Sequence, residues 1–225
     1  MEAAMVEPDS ALTLVGHAQF RSFRNVWMLE ELGVSYKHVQ AMPRSKEAQD
    51  ANPLGKVPSL KDRDFVLYES AAINTYLGDK FRGQADCPEL VPVTGTKARG
   101  RYEQLVCFLM AEVDAQGLWI HRKHQAMSKV FGAIPAAVAA AKDHTKRCFG
   151  VLAADLKQVG GPYLLGADFS AADILLVHCL DWADVIGWLP EPGDSAELQN
   201  LLEYRELCKA RPAFQRTMAK KEAKL

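Results

Sequence analysis

The chain has 225 residues, with 27 basic side chains against 28 acidic ones; 48% of its residues are hydrophobic and 24% are charged. That profile belongs to an ordinary globular protein and excludes an acidic disordered chain. The near-neutral balance also excludes a dedicated nucleic-acid binder, which would carry a basic surplus.

In chain order, Met1 to Ser10 has neither the basic region nor the apolar run of a targeting signal. Leu12 to Val15 reads as a buried strand and Ser22 to Leu32 as a helix stopped by Gly33. Tyr36 to Ala41 is a second strand, and Pro43 to Ala51 a short helix or loop. Val57 to Leu60 and Asp64 to Leu67 form a hairpin around the polar turn Lys61-Asp62-Arg63. Ser70 to Lys80 is helical, with Ala72, Ile73, Tyr76 and Leu77 on one face. The order βαβ, connecting helix, ββα predicts a small mixed sheet covered by helices over residues 11–85.

A Pro- and Gly-containing linker follows, and from residue 95 to the end the strand signals vanish. Lys97 to His124 carries Leu105, Phe108, Leu109, Glu112, Gln116 and Trp119 at helical spacing. Ile134 to Gln158 is helical until Gly160-Gly161-Pro162. Ser170 and Asp173 fit a capping box that opens a helix apolar almost all round, the mark of the middle of a bundle. Leu198 to Ala210 and Pro212 to Lys224 complete the helices. The five cysteines (Cys87, Cys107, Cys148, Cys179, Cys208) are irregularly spaced with no C-x-x-C. They form no disulfide framework or zinc ribbon, so a cytoplasmic setting is expected. His121 and His124 flank two cations with no carboxylate or thiolate nearby, so no metal is expected. No stretch reaches the roughly 20 apolar residues of a membrane span.

Chemistry concentrates in Asn52-Pro53-Leu54-Gly55-Lys56-Val57-Pro58-Ser59-Leu60, followed by Glu69-Ser70. A proline opening an apolar strand fits either an edge strand with a trans bond or a cis bond between Val57 and Pro58, and the cis bond would leave the Val57 backbone ready to pair with an extended peptide-like ligand. Glu69-Ser70 falls where a strand ends and a helix begins, and free N–H groups there, with the Ser70 hydroxyl, suit a carboxylate. Glu69 suits an ammonium. A ligand with an α-amino acid at one end and peptide bonds in its middle fits both features.

Asn52 to Leu60 with Glu69-Ser70-Ala71-Ala72-Ile73 resembles the glutathione-binding signature of the cytosolic glutathione transferase superfamily. Arg21 to Gly33 resembles that family's first helix, and Tyr163-Leu164-Leu165-Gly166 with Phe169 to Ile174 its second-domain folding motif. The resemblance implies an α/β thioredoxin-like domain, an all-α second domain and usually a homodimer. It further implies that Val57 pairs with the cysteinyl backbone of glutathione and that Glu69 and Ser70 hold its γ-glutamyl end. Lys56 matches a position that contacts the ligand's polar groups, and Arg44 and Lys46 are candidates for its glycyl carboxylate.

Catalysis needs the bound thiol as thiolate, and free cysteine titrates at about 8.5. Serine-type members of the family place a hydroxyl just before the first helix, at about Gln19 or Phe20, and neither residue has one. Ser22 is the nearest hydroxyl, which would either reach the thiol or cap the helix. Arg21 would stabilise a thiolate electrostatically, and His17 is a further candidate. The acceptor pocket is expected between the domains, with Phe108, Glu112 and Trp119 contributing from the first long helix. The implied activity is conjugation of glutathione to a small electrophile, or peroxide reduction with it; the alternative is a glutathione-binding or assembly protein of the same fold without catalysis.

Overall fold

The computed structural model describes residues 11–189 and 195–222. The expectation for Met1 to Ser10 and the last residues of the final predicted helix lie outside them. Contacts divide the chain into two compact units, one running to Glu89 and including the segment from Pro212, the other Leu90–Arg211.

The first unit contains β1 (Leu12–Val15), α1 (Phe23–Leu32), β2 (Lys37–Val39), α2 (Lys46–Ala51), β3 (Ser59–Asp62), β4 (Phe65–Tyr68) and α3 (Ser70–Lys80). The sheet order is β2-β1-β3-β4. β1 and β2 are parallel, while β1–β3 and β3–β4 are antiparallel, giving the mixed sheet the sequence pattern predicts. Strand side chains alternate between faces. Leu14 and Leu60, paired across β1 and β3, are fully buried; Val15 packs with Ala41 and Ala51. α1 ends at Gly33, whose left-handed φ of 66° lets its N–H close on the Leu29 carbonyl.

Two local expectations shift. The hairpin turn narrows to Arg63-Asp64, since Asp62 pairs with Phe65. Asp62 stays in the strand because its buried carboxylate accepts from the Tyr76 hydroxyl at 2.5 Å and pairs with Lys80. On α3 the inward face is Ser70, Ile73, Asn74, Leu77 and Gly78, with Ala72 exposed. Polar Ser70 and Asn74 turn inward because α1 supplies their hydrogen-bond partners.

The final helix, α10 (Pro212–Glu222), follows the helical half in sequence but packs on α1 within the first unit. Phe214 stacks edge-on against Phe23 and Trp27, with centroids 5.6 and 4.9 Å away. Glu30 accepts from Arg216 at 2.8 Å and from Tyr36 at 2.9 Å, and pairs with Lys220 at 2.7 Å. Burial alone would raise the Glu30 carboxyl, but the hydrogen bonds from Lys220, Arg216 and Tyr36 outweigh it and hold it below its ordinary 4.5. A lowered folded pKa means the cluster stabilises the fold fully above about pH 4.5 and loses that contribution as pH falls through the lowered value. Both cations are about half exposed, which limits the effect. Glu30→Gln is expected to lower unfolding free energy by about 1 kcal/mol at pH 7. Urea denaturation should show that difference shrinking below pH 4.5; a difference independent of pH would reject the ion-pair origin.

The second unit opens where Leu90 and Val91, both buried, tie the linker down, and the Leu90 carbonyl accepts from the Ala171 N–H at 2.8 Å. One continuous helical stretch follows: α4 (Lys97–Phe108), π1 (Leu109–Leu118), α5 (Trp119–His121) and π2 (Arg122–Ala126). After it come α6 (Ser128–Phe131), α7 (Pro135–Val159), α8 (Ala171–Val185) and α9 (Ala196–Lys209). In π1 the hydrogen bonds reach back five residues, as from the Trp119 N–H to the Asp114 carbonyl. This wider winding moves the buried stripe to Leu109, Val113, Asp114, Gly117 and Leu118, leaving Gln116 exposed and Phe108, Glu112 and Trp119 half-buried on its flank. Gly117 faces Thr145 of α7 so closely that a Cβ there would meet its hydroxyl at 2.3 Å. α8 is buried from Ala171 through Val177, the central helix its composition predicts. The box at its start is present, with the Asp173 carboxylate accepting from the Ser170 N–H at 2.8 Å.

Candidate functional site

The register of the sheet gathers four loops at one end. Val15 pairs with both Val39 and Ser59, and Ser59 pairs with Tyr68. The chain leaving β1, the chain leaving β2, the chain entering β3 and the chain leaving β4 therefore all emerge on the same side. These are Gly16 to Ser22, Gln40 to Ser45, Asn52 to Pro58, and Glu69-Ser70. Sequence reasoning selected residues from each of these segments, and the register explains how residues so far apart in sequence meet.

Of the two forms that fit the sequence, the Val57–Pro58 bond takes the cis one. β3 joins the ladder only from Ser59, so Val57 lies beyond it. The preceding loop is built by Asn52, whose side chain accepts from the Leu54 N–H at 2.9 Å and whose carbonyl accepts from the Gly55 N–H at 2.8 Å. Gly55 in turn accepts from the Arg44 N–H at 2.7 Å, and Gln49 of α2 donates to the Arg44 carbonyl at 2.7 Å. Arg44 is thereby held in the left-handed region, φ 69°, with its side chain exposed next to the Gly55-Lys56 segment. Lys56 is also exposed. Lys46 points along the outer face of α2, paired with Asp50 at 2.7 Å.

Glu69 and Ser70 sit at the start of α3, Glu69 in its N-cap position at φ 73° and exposed. Ser70 is buried and gripped from α1. Its hydroxyl accepts from Arg24 Nη1 at 3.2 Å, and its carbonyl accepts from Asn25 Nδ2 at 2.8 Å. Asn25 also donates to Asn74 at 2.7 Å, and Asn74 returns a bond to the Arg24 carbonyl. Sequence reasoning assigned no role to Arg24 or Asn25. The available signal was an Arg-Asn pair inside a helix whose other early residues, Phe23, Val26, Trp27 and Met28, are apolar.

The loop after β1 differs most from expectation. Gly16 adopts φ 137° and approaches so closely that a Cβ on it would lie 2.2 Å from the Ser22 hydroxyl and 2.8 Å from Val57 Cβ. Ser22 is thus fully buried beneath the loop, in helical geometry with no side-chain cap, and among the described residues its hydroxyl finds no hydrogen-bond partner. It makes no side-chain cap on α1. His38 holds Gly16 from β2: burial pushes its imidazole down, and the neutral ring donates Nε2–H to the Gly16 carbonyl at 2.9 Å. His17 is buried, and its Nδ1 accepts the Gln19 N–H at 3.0 Å. The N–H groups of Phe20, Phe23, Arg24 and Asn25 close three-residue turns onto His17, Phe20, Arg21 and Ser22. Of these donors only Phe20 belongs to the loop, the other three opening α1, and Arg21 is half-buried between them.

In the second unit Glu112 pairs with His144 at 3.1 Å and accepts from Gln116 at 3.2 Å. Phe108 and Trp119 lie on the same continuous stretch. Burial pushes the His121 ring down, and it packs edge-on against Trp188. Among the described residues no cluster of three or more histidine, cysteine or carboxylate side chains is arranged to hold a metal, and no helix is long and apolar enough to cross a membrane.

Comparison with known proteins gives the same outline. The glutathione S-transferase N-terminal domain model matches residues 10–79 and the C-terminal domain model residues 135–215. Glutathione S-transferase 3 of Zea mays is 32% identical over 178 residues, spanning 75% of this chain and 72% of the relative. Among solved structures, a glutathione transferase from Methylococcus capsulatus superposes with a TM-score of 0.76 at 25% identity, covering 93% of this chain and 98% of its own. The glutathione transferase URE2P8 from Phanerochaete chrysosporium, solved with oxidized glutathione, superposes with a TM-score of 0.75 at 25% identity, covering 95% and 96%.

Proposed function

The chain belongs to the glutathione S-transferase family, and on that premise we propose that it binds glutathione along the convergent end of its sheet and conjugates it to a small electrophile. The observation that carries the reading is the meeting of two features at that end: the Val57 backbone outside the ladder, and Ser70 at the start of α3. They correspond to the middle and the amino-acid end of a γ-glutamyl tripeptide. Val57 pairs with the cysteinyl backbone, with cis-Pro58 setting its direction. Ser70 and the α3 N-terminus take the γ-glutamyl carboxylate, and Glu69 takes the ammonium. Lys56 and Arg44 serve the glycyl end; Lys46, held by Asp50, contributes charge at longer range.

Arg21 stabilises the thiolate. The burial of Ser22 supports that choice. The thiol proton passes to solvent, the sulfur attacks the electrophilic carbon, a C–S bond forms and the leaving group departs with the electron pair. Phe108, Glu112 and Trp119 are the candidates for contacting the electrophile. As a family trait the protein is a homodimer in the cytoplasm; the exposed Phe65, Val66 and Tyr68 of edge strand β4 are the strip a second copy would cover.

The test is calorimetric titration with glutathione, followed by a conjugation assay with 1-chloro-2,4-dinitrobenzene. Micromolar to millimolar binding with turnover above the uncatalysed rate is expected. Binding without turnover would favour the non-catalytic member of the same fold, a reading that the missing hydroxyl at Gln19 and Phe20 supports. Absence of binding would remove the site.

A further inference from the structure

We propose that Arg24 is a positioning residue that turns the Ser70 hydroxyl outward as a hydrogen-bond donor to the γ-glutamyl carboxylate. The inference rests on the glutathione site proposed above and extends it to a residue that would not touch the ligand.

The chemistry of the pair sets the direction. A guanidinium has five N–H donors and no acceptor, so in the contact between Arg24 Nη1 and Ser70 Oγ at 3.2 Å the serine oxygen is the acceptor. The hydroxyl proton must then point away from Arg24. Ser70 is fixed at its other end as well, since Asn25 holds its carbonyl at 2.8 Å and the same Asn25 Nδ2 donates to Asn74 at 2.7 Å. Two adjacent α1 residues therefore fix both the orientation and the donor role of the first residue of α3. With the backbone and the acceptor side both held, the proton is directed toward the end of the helix, where an anion meets the dipole.

The electrostatics act in the same sense. Arg24 is completely buried, so its charge is weakly screened and keeps its influence one side chain away. Its placement also explains why α1 carries a guanidinium among apolar neighbours: a lysine could supply the charge but lacks the planar fork that holds a fixed geometry.

The experiment compares two ligands by calorimetry. One is glutathione; the other is 4-aminobutyryl-cysteinylglycine, which keeps the amine and both peptide bonds but lacks the α-carboxylate. Wild type is expected to prefer glutathione by 10-fold or more. Arg24→Met should weaken glutathione about 10-fold while changing the analogue less than 2-fold. Ser70→Ala should do the same, and the double variant should lose no more than either single one. Arg24→Lys, which keeps one donor, should recover part of the preference and serves in place of Arg24→Met if that variant does not fold. Equal weakening of both ligands, or additive losses in the double variant, would make Arg24 a structural residue and overturn the proposal. If wild type itself shows no preference, the underlying placement of the carboxylate falls. If Ser70→Ala abolishes the preference while Arg24→Met and Arg24→Lys keep it, only the role of Arg24 falls.

Discussion

Asp173→Ala is expected to lower the unfolding free energy of the protein by about 3–5 kcal/mol, about 1 kcal/mol or slightly more for each of four donors that lose this acceptor. The carboxylate is completely buried and accepts from four donors: the Leu164 N–H at 2.9 Å, the Ser170 N–H at 2.8 Å, the Ser170 hydroxyl at 2.7 Å and the Tyr204 hydroxyl at 2.8 Å. It therefore joins the loop before α8, the first turn of α8, and α9. Truncation takes this acceptor from two buried backbone N–H groups and two buried hydroxyls, and each such loss carries its own desolvation cost. Asp173→Asn is expected to recover little, because its NH2 would face donors. Ser170→Ala, which removes one of the four donors, should cost about 1 kcal/mol, and Tyr204→Phe a similar amount. Urea denaturation with fluorescence detection measures these losses. A loss below 1 kcal/mol for Asp173→Ala would mean that the network is dispensable and that α8 is held by apolar packing alone.

Tyr204 also shows why part of this network was hidden in the sequence. The Ser170–Asp173 box spans three residues and carries a local signature, so it was legible. The Tyr204 bond spans 31 residues between two helices whose patterns say only that each has a buried face. The candidate site divides the same way. The Val57-Pro58 bend and the Glu69-Ser70 helix start are local chemistry and were found. The grip of Arg24 on Ser70 crosses 46 residues and was not. The helix pattern of Pro212 onward was legible, but its partner α1 lies 186 residues away, at Glu30. The π winding had no sequence signal, because it changes the residues per turn without changing which residues are apolar. Ser22 is the instructive case. Its sequence position suits a cap or a thiol donor; it makes no side-chain cap, and it is buried because Gly16, lacking a side chain, lets the loop settle directly on the hydroxyl.

That geometry yields the sharpest functional expectation, a contrast between adjacent residues. Arg21→Ala should lower kcat/KM for 1-chloro-2,4-dinitrobenzene about 100-fold, the lower end of what removal of one charge-stabilising donor costs. The loss should fall on kcat, with the glutathione Kd changed less than 3-fold, because the cation acts on the thiolate and not on the ligand's termini. The same substitution should raise the pKa of the bound thiol by about 2 units, equivalent to about 2.7 kcal/mol. The sign follows from the reactive species: the thiolate attacks, so a higher thiol pKa depresses the rate at neutral pH and lets it recover as pH rises toward that value. A full pH–rate profile, with thiolate absorbance near 240 nm in the binary complex, separates this from damage to the fold. Ser22→Ala should leave the profile unchanged, because the hydroxyl is fully buried, and it should stabilise the protein slightly by removing a polar group that among the described residues has no hydrogen-bond partner. The opposite pattern, a rate lost in Ser22→Ala and kept in Arg21→Ala, would require the loop to lift away from Ser22 when glutathione binds, and Arg21 would then leave the mechanism.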